Sequence, residues 1–213
     1  MENIYFFSGL GADERVFRKL KLNNFNPIHI PWITPIENES LHNYTIRITQ
    51  NIKEKHPIFI GLSFGGIVAI EASKLFDVHQ LILISSVKNE NEVPYYFRWL
   101  RYIPLHKLIP SYYISNPNLI SNWMFGVKTT EEKNLLKQIM NDTPISFFRW
   151  AMNIIINWTN DSVPPNTFHI HGSSDKILPA KFVNANYLIK NGEHFTVFSE
   201  AEEVSEVLNR VLI

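Results

Sequence analysis

Short apolar blocks recur along the chain at Ile4 to Phe7, Ile28 to Ile30, Ile58 to Ile60, Leu81 to Ile84, Phe168 to Ile170 and Tyr187 to Ile189. They are continuous rather than alternating, the pattern of strands covered on both faces, as in a parallel sheet. Helical periodicity fills the gaps. Leu41, Tyr44, Ile48 and Ile52 fall on one helix face, with Pro57 expected to stop that helix. Near the C-terminus, Ser199 and Glu202 have capping-box spacing, and Ala201, Val204, Leu208 and Val211 form a stripe. Acidic residues lie early in this segment and Arg210 late, in keeping with the helix dipole. Strand and helix alternate, which predicts an α/β fold of about six mostly parallel strands flanked by helices.

One region departs from this rhythm. Between the strand ending near Ser85 and the strand starting near Thr167, residues 87–161 carry Pro94, Pro104, Pro110, Pro117 and Pro144, which predict short helices. The same stretch is crowded with aromatics, among them Tyr95, Tyr96, Phe97, Trp99, Tyr102, Tyr112, Tyr113, Trp123, Phe125, Phe147, Phe148, Trp150 and Trp158. Thr129 and Glu132 predict a capping box for a helix bearing Leu135, Leu136, Ile139 and Met140. A helical insertion (87–161) within a single core domain (1–86 and 162–213) is the simplest organisation. Most of its aromatics are expected to pack it down, with some lining an apolar pocket.

Composition narrows the partners. The 213 residues suit one domain, able to bury roughly 70% of its unfolded surface. There are no cysteines, so a thiol nucleophile is excluded and serine, threonine or a carboxylate must serve. The 20 basic and 20 acidic residues balance, leaving no net field for nucleic acid or an anionic membrane. Without an apolar run of membrane-spanning length or a basic leader, a cytoplasmic location and a small-molecule substrate are expected. Nothing in the composition indicates an oligomeric state.

The chemistry concentrates at Gly61-Leu62-Ser63-Phe64-Gly65, which fits G-x-S-x-G between a strand block and a helical run. In so sharp a turn, side chains at 61 and 65 are expected to collide, and glycine removes the clash. Ser63 then stands at the tip, and the amide of Phe64 is placed to donate to a developing oxyanion at the helix N-terminus. A simpler reading makes Ser63 a helix cap. A serine nucleophile needs a base and an orienting acid. Asp175, in His171-Gly172-Ser173-Ser174-Asp175, and His194, in Gly192-Glu193-His194-Phe195, each follow a strand block, the end where open α/β sheets build their sites.

With its GxSxG turn, its HGxxDxxxP segment, its late G-x-H and the order Ser63, Asp175, His194, the chain resembles the α/β-hydrolase superfamily over nearly its whole length. The resemblance implies Ser63 as nucleophile, His194 as general base and Asp175 as its orienting carboxylate. It also implies a lid in the insertion, and a second oxyanion amide in Ser8-Gly9-Leu10-Gly11, at Leu10. No cofactor or metal is implied. Three features depart from the family pattern: Ser8 replaces a common histidine, two N-terminal strands are absent, and Glu193 replaces a frequent glycine, where it would perturb His194 or face water.

Other candidates carry less. His169 and His171 share a strand face near Asp175 and could be metal ligands, but a turn histidine beside a strand histidine is the stronger reading. Ser85 and Ser86 end a strand on the correct side to touch substrate, whereas Asp142 and Asp161 read as surface carboxylates and Asp77 precedes a strand, at the end opposite the site. The expected reaction is hydrolysis of a carboxylic ester or thioester bearing an apolar group. The same scaffold hosts amidases, carbon-carbon bond hydrolases, lyases and cofactor-free haloperoxidases, and a non-catalytic binding protein is the alternative from another class.

Overall fold

The computed structural model describes residues 1–102 and 110–212. Six strands lie among them: β1 (Glu2–Phe7), β2 (Phe25–Ile30), β3 (Ile58–Leu62), β4 (Gln80–Ile84), β5 (Thr167–Gly172) and β6 (Tyr187–Ile189). They form one sheet in the order β2-β1-β3-β4-β5-β6, each neighbouring pair parallel. Every apolar block of the sequence lies inside a strand. Pro27, which cannot donate to a ladder, sits in the edge strand β2, where proline is tolerated.

Successive side chains point to opposite faces, so the sheet divides two cores. Ile4, Phe6, Ile58, Ile60, Ile82 and Ile84 join one, with Val204, Val207 and Leu208 of the C-terminal helix α9 (Ala201–Val211). Tyr5, Phe7, Phe59, Leu81 and Leu83 join the other, against α1 (Leu41–Thr49) and α2 (Phe64–Ala72). Both faces are covered, which is why the strands are apolar throughout rather than alternating.

Two boundaries differ from expectation. α1 presents Leu41, Tyr44 and Ile48 to the core but ends at Thr49, well before Pro57. There the Ile52 N–H turns back onto the Thr49 carbonyl (3.0 Å), which still buries Ile52 without further helix. Ser199 does not cap α9. It is the last residue of a preceding short helix, α8 (Thr196–Ser199), and its hydroxyl donates back to the Phe195 carbonyl (3.3 Å).

Between β4 and β5 the chain leaves the sheet and forms α3 (Tyr95–Trp99), α4 (Ser111–Ser115), α5 (Leu119–Phe125), α6 (Thr130–Asp142) and α7 (Ile145–Asn157). Pro94, Pro110 and Pro144 each immediately precede a helix, and Pro117 separates α4 from α5. Pro104 lies outside the described residues. The Thr129 box closes as expected, with the Glu132 N–H donating to Thr129 Oγ1 (3.2 Å) and the Glu132 carboxylate accepting from the Thr129 N–H (3.0 Å). α6 contributes Leu135, Leu136 and Ile139 to one core and α7 contributes Phe147 and Ala151 to the other, so this pair joins both cores.

Candidate active site

Ser63 is the single residue between β3 and α2, with φ 51° and ψ −120°. A residue with a Cβ is strained there, by roughly 1–3 kcal/mol, and persists only where its surroundings enforce it. Those surroundings are backbone. The Ser63 N–H donates to the Ile84 carbonyl (2.9 Å), and its own carbonyl accepts from the Gly66 N–H (2.9 Å) and from Ser86 Oγ (2.7 Å).

The glycines make this turn possible, though not by avoiding each other's side chains. A Cβ on Gly61 would lie 2.5 Å from the Gly66 Cα, and one on Gly65 would lie 2.2 Å from the carbonyl oxygens of Phe7 and Ser8. Helix α2 is thus pressed against both its own strand and the end of β1. The Ser63 hydroxyl makes no capping bond, which removes the helix-cap reading. It is aimed at His194 instead.

His194 Nε2 lies 2.9 Å from Ser63 Oγ, and its Nδ1 lies 2.8 Å from Asp175 Oδ2. Both partners of Ser63 are buried, while Ser63 is partly exposed. Burial by itself would raise the Asp175 carboxyl pKa. The charge and hydrogen bond of His194, His171 and the Leu178 amide outweigh it and hold the group below its ordinary value. Its other oxygen accepts from the Ile177 and Leu178 N–H groups, 2.8 Å each.

The loops carrying Asp175 and His194 are tied together. Ser173 N–H donates to the Ile189 carbonyl (2.9 Å) and Ser174 N–H to that of Gly192 (2.8 Å). A Cβ on Gly172 would stand 2.4 Å from the Gly192 oxygen, so the approach requires glycine. His171 secures the acid turn from below, Nε2–H donating to the Leu178 carbonyl (2.7 Å), while its Nδ1 faces His169 Nε2 at 3.3 Å. The facing ring nitrogens of the two histidines are therefore spent on each other. Burial lowers the pKa of both, His169 well below the ordinary 6.5.

Leu10 and Phe64 line the same cavity as Ser63 and His194. The loop bearing Leu10 is close to the serine: a Cβ on Gly9 would lie 3.7 Å from the Ser63 Cβ. In that loop Ser8 Oγ donates to the Ala12 carbonyl (2.5 Å), and Trp32 Nε1–H donates to the Gly9 carbonyl (3.0 Å). Trp32 escaped sequence reasoning. Its only signal is its position two residues after β2, on the rim where the other loops meet.

Two expectations need correction. Glu193 is only partly exposed: it is ion-paired with Lys176 and packed against Gly126, where no side chain could fit. Ser85 and Ser86 do not line the cavity, since the Ser85 hydroxyl is buried without a partner and that of Ser86 holds the Ser63 carbonyl.

The cavity over Ser63 measures about 300 Å³ and is walled by apolar side chains, including Ile67, Val87, Met124, Leu136, Ile139 and Met152. Of the insertion's aromatics, Phe97, Phe125 and Phe148 reach it, and the Phe125 ring meets that of His194 at 5.7 Å. Phe147, Trp150 and Trp158 pack into the core. Tyr95, Trp99, Tyr102, Tyr112, Tyr113 and Trp123 do neither and are exposed, contrary to the expectation that such residues mainly hold the insertion down. A second cavity of about 360 Å³, bordered by Ser8, Asp13, His29, Trp32 and Asp142, reaches neither Ser63 nor His194.

No family model matches the chain, and no curated protein matches its sequence. Solved structures do match. A candidate lipase of Acinetobacter baumannii AYE is 17% identical over 99% of this chain and 84% of its own, with a TM-score of 0.71. A thermophilic esterase of Thermogutta terrifontis is 14% identical over 100% of this chain and 89% of its own (TM-score 0.69). A bromoperoxidase of Bacillus anthracis is 14% identical over 99% and 91% (TM-score 0.69). At such identities the likeness is one of fold, and one fold here carries differently named activities.

Proposed function

We propose, from the premise that the chain has the α/β-hydrolase fold, that it is a serine hydrolase of carboxylic esters or thioesters acting through an acyl-enzyme. The observation that carries this reading is the unbroken hydrogen-bonded chain Ser63–His194–Asp175, which begins at a strained backbone position and opens into an apolar cavity.

With Nδ1–H donating to Asp175, the free Nε2 of His194 accepts the Ser63 proton as Oγ attacks the carbonyl carbon. The amides of Phe64 and Leu10 hold the oxyanion. His194 then gives its proton to the departing alcohol or thiol. A water molecule, deprotonated by the same nitrogen, attacks the acyl-enzyme and releases the acid. Asp175 stays ionised throughout, its depressed pKa matching an acceptor that steadies the imidazolium.

In this reading residues 87–161 form the cap over the pocket, and 1–86 with 162–213 form the catalytic core. The apolar walls favour an acyl chain or aromatic group over a charged or sugar moiety. A fluorophosphonate probe should label the folded protein at Ser63, located by peptide mapping. Folded protein that stays unlabelled yet binds small apolar ligands would replace the hydrolase with a binding protein. A panel of p-nitrophenyl esters of rising acyl length, run beside an amide and a thioester, then reports bond type and pocket depth.

A further inference from the structure

The helices α3, α4 and α5 have two unlike faces. Inward, Phe97, Ile114 and Phe125, one from each helix, line the cavity over Ser63. Outward, Trp99 is 66% exposed, Tyr102 just after α3 79%, Tyr112 68%, Leu119 87% and Trp123 62%. Soluble surfaces scatter single apolar residues, but so many large ones on the wall of one cavity mark a surface that meets something. Trp and Tyr are the residues that settle at the boundary between lipid and water, with an apolar body and a polar tip.

Charge points the same way. The whole chain is neutral, with 20 residues of each sign, yet the described residues between 93 and 130 contain no aspartate or glutamate while carrying Arg98, Arg101 and Lys128. A segment that mixes Trp, Tyr and basic residues and excludes acids is complementary to an anionic lipid surface. Among the described residues no helix is long and apolar enough to cross a membrane, so the contact would lie along the surface.

The same helices connect to the candidate site. Tyr96 of α3 donates its hydroxyl to the Ile177 carbonyl (3.3 Å), and Lys176 Nζ sits 5.4 Å from the Trp123 ring centroid, so α3 and α5 flank the turn that follows Asp175. The Phe125 carbonyl of α5 accepts from the Phe195 N–H (3.1 Å), one residue after His194.

We propose that the outer face of α3, α4 and α5 docks on the surface of an anionic phospholipid bilayer, and that an acyl lipid held in that surface is the ligand of the cavity beneath. The choice of ligand rests on the serine-hydrolase reading. The docking face does not.

The test uses the full chain carrying Ser63→Ala, so that lipid is not consumed, sedimented with vesicles of pure phosphatidylcholine or of an equal mixture with phosphatidylglycerol. The protein should sediment with the mixed vesicles, bind pure phosphatidylcholine more weakly, and dissociate as salt rises. Adding Trp99→Ser with Tyr112→Ser should weaken binding about tenfold or more. With Ser63 intact, that double change should leave turnover of a short soluble ester unchanged and raise the apparent KM for an ester embedded in the vesicles. Should the pair misfold by circular dichroism, Tyr102→Ser with Leu119→Ser asks the same question.

Equal sedimentation of native and substituted protein, or indifference to phosphatidylglycerol, overturns the proposal. So does a concentration-dependent dimer abolished by the same substitutions without any vesicle binding, which would assign the face to a second copy. Vesicle binding, when the chain with Ser63 intact takes no fluorophosphonate label, keeps the docking face and removes the hydrolase; labelling of that chain without vesicle binding does the reverse.

Discussion

At the rim of the sheet, Ser63, Asp175 and His194 arrive from three separate loops, yet backbone contacts hold Ser63 and Asp175 and tie the residues flanking His194. In α3, α4 and α5, helices of five, five and seven residues, large side chains stand in water with few partners. Both regions border the same cavity. Position at the rim is enforced sterically, by glycines that nothing larger can replace, whereas the helices are distinguished by composition, rich in aromatics and free of acids.

The largest expected effect lies at the rim. Ser63→Ala should lower kcat on the best ester found by roughly 10⁴- to 10⁶-fold with the fold intact. Turnover near that of the native protein would place the chemistry elsewhere. Asp175→Asn should follow at about 10⁴-fold, because the amide no longer selects the tautomer with Nδ1–H facing it; stopped assays under saturating ester would read it.

Stability separates the regions next. Gly65→Ala drives a Cβ to 2.2 Å from two carbonyl oxygens and should cost about 3 kcal/mol in urea unfolding, provided the sheet and helix cannot separate. A loss under about 1 kcal/mol would mean the elbow is looser than its contacts imply.

Acid should act on the sheet as well. His169 and His171 are held neutral by burial, so the unfolded chain takes up protons near the ordinary 6.5 while the folded chain resists them. Their contribution is complete above pH 6.5 and declines as pH falls below it. Asp175 adds a later loss, since its depressed folded pKa keeps its contribution until pH drops below the ordinary 3.8. Thermal unfolding of His169→Gln should show a shallower decline just below pH 6.5 than the native protein. An unchanged slope would trace the decline to other groups.

The smallest effect belongs to the helices. Tyr102→Ser, at a side chain 79% exposed, should shift unfolding free energy by no more than about 0.5 kcal/mol. A loss of several times that would show Tyr102 holding the insertion down, and would erase the contrast between the two regions.

Much of the fold was legible because burial on both faces leaves continuous apolar runs, and all six runs became strands of the sheet. Helix ends read less well. Ser199 and Glu202 have the spacing of a box, but a short helix had already claimed Ser199; likewise Pro57 is a barrier that α1 never reaches. At the candidate site, Ser63, Asp175 and His194 stood out because glycine patterns at strand ends are rare enough to notice. The roles of their supports did not. Trp32, Ser8 and Ser86 act through single hydrogen bonds to backbone carbonyls, and any polar or aromatic residue near a turn can make one.

The amino-acid order alone therefore determined the parallel α/β layout, the proline-divided insertion and the residues worth watching at the strand ends, since each depends on local periodicity or on glycine's missing side chain. Only the tertiary structure decided which of those residues come within hydrogen-bond reach, what Glu193 and Gly65 lean against, and which aromatics face the cavity and which face water. Those outcomes depend on contacts between segments far apart in the chain, and no local pattern encodes distance across a fold.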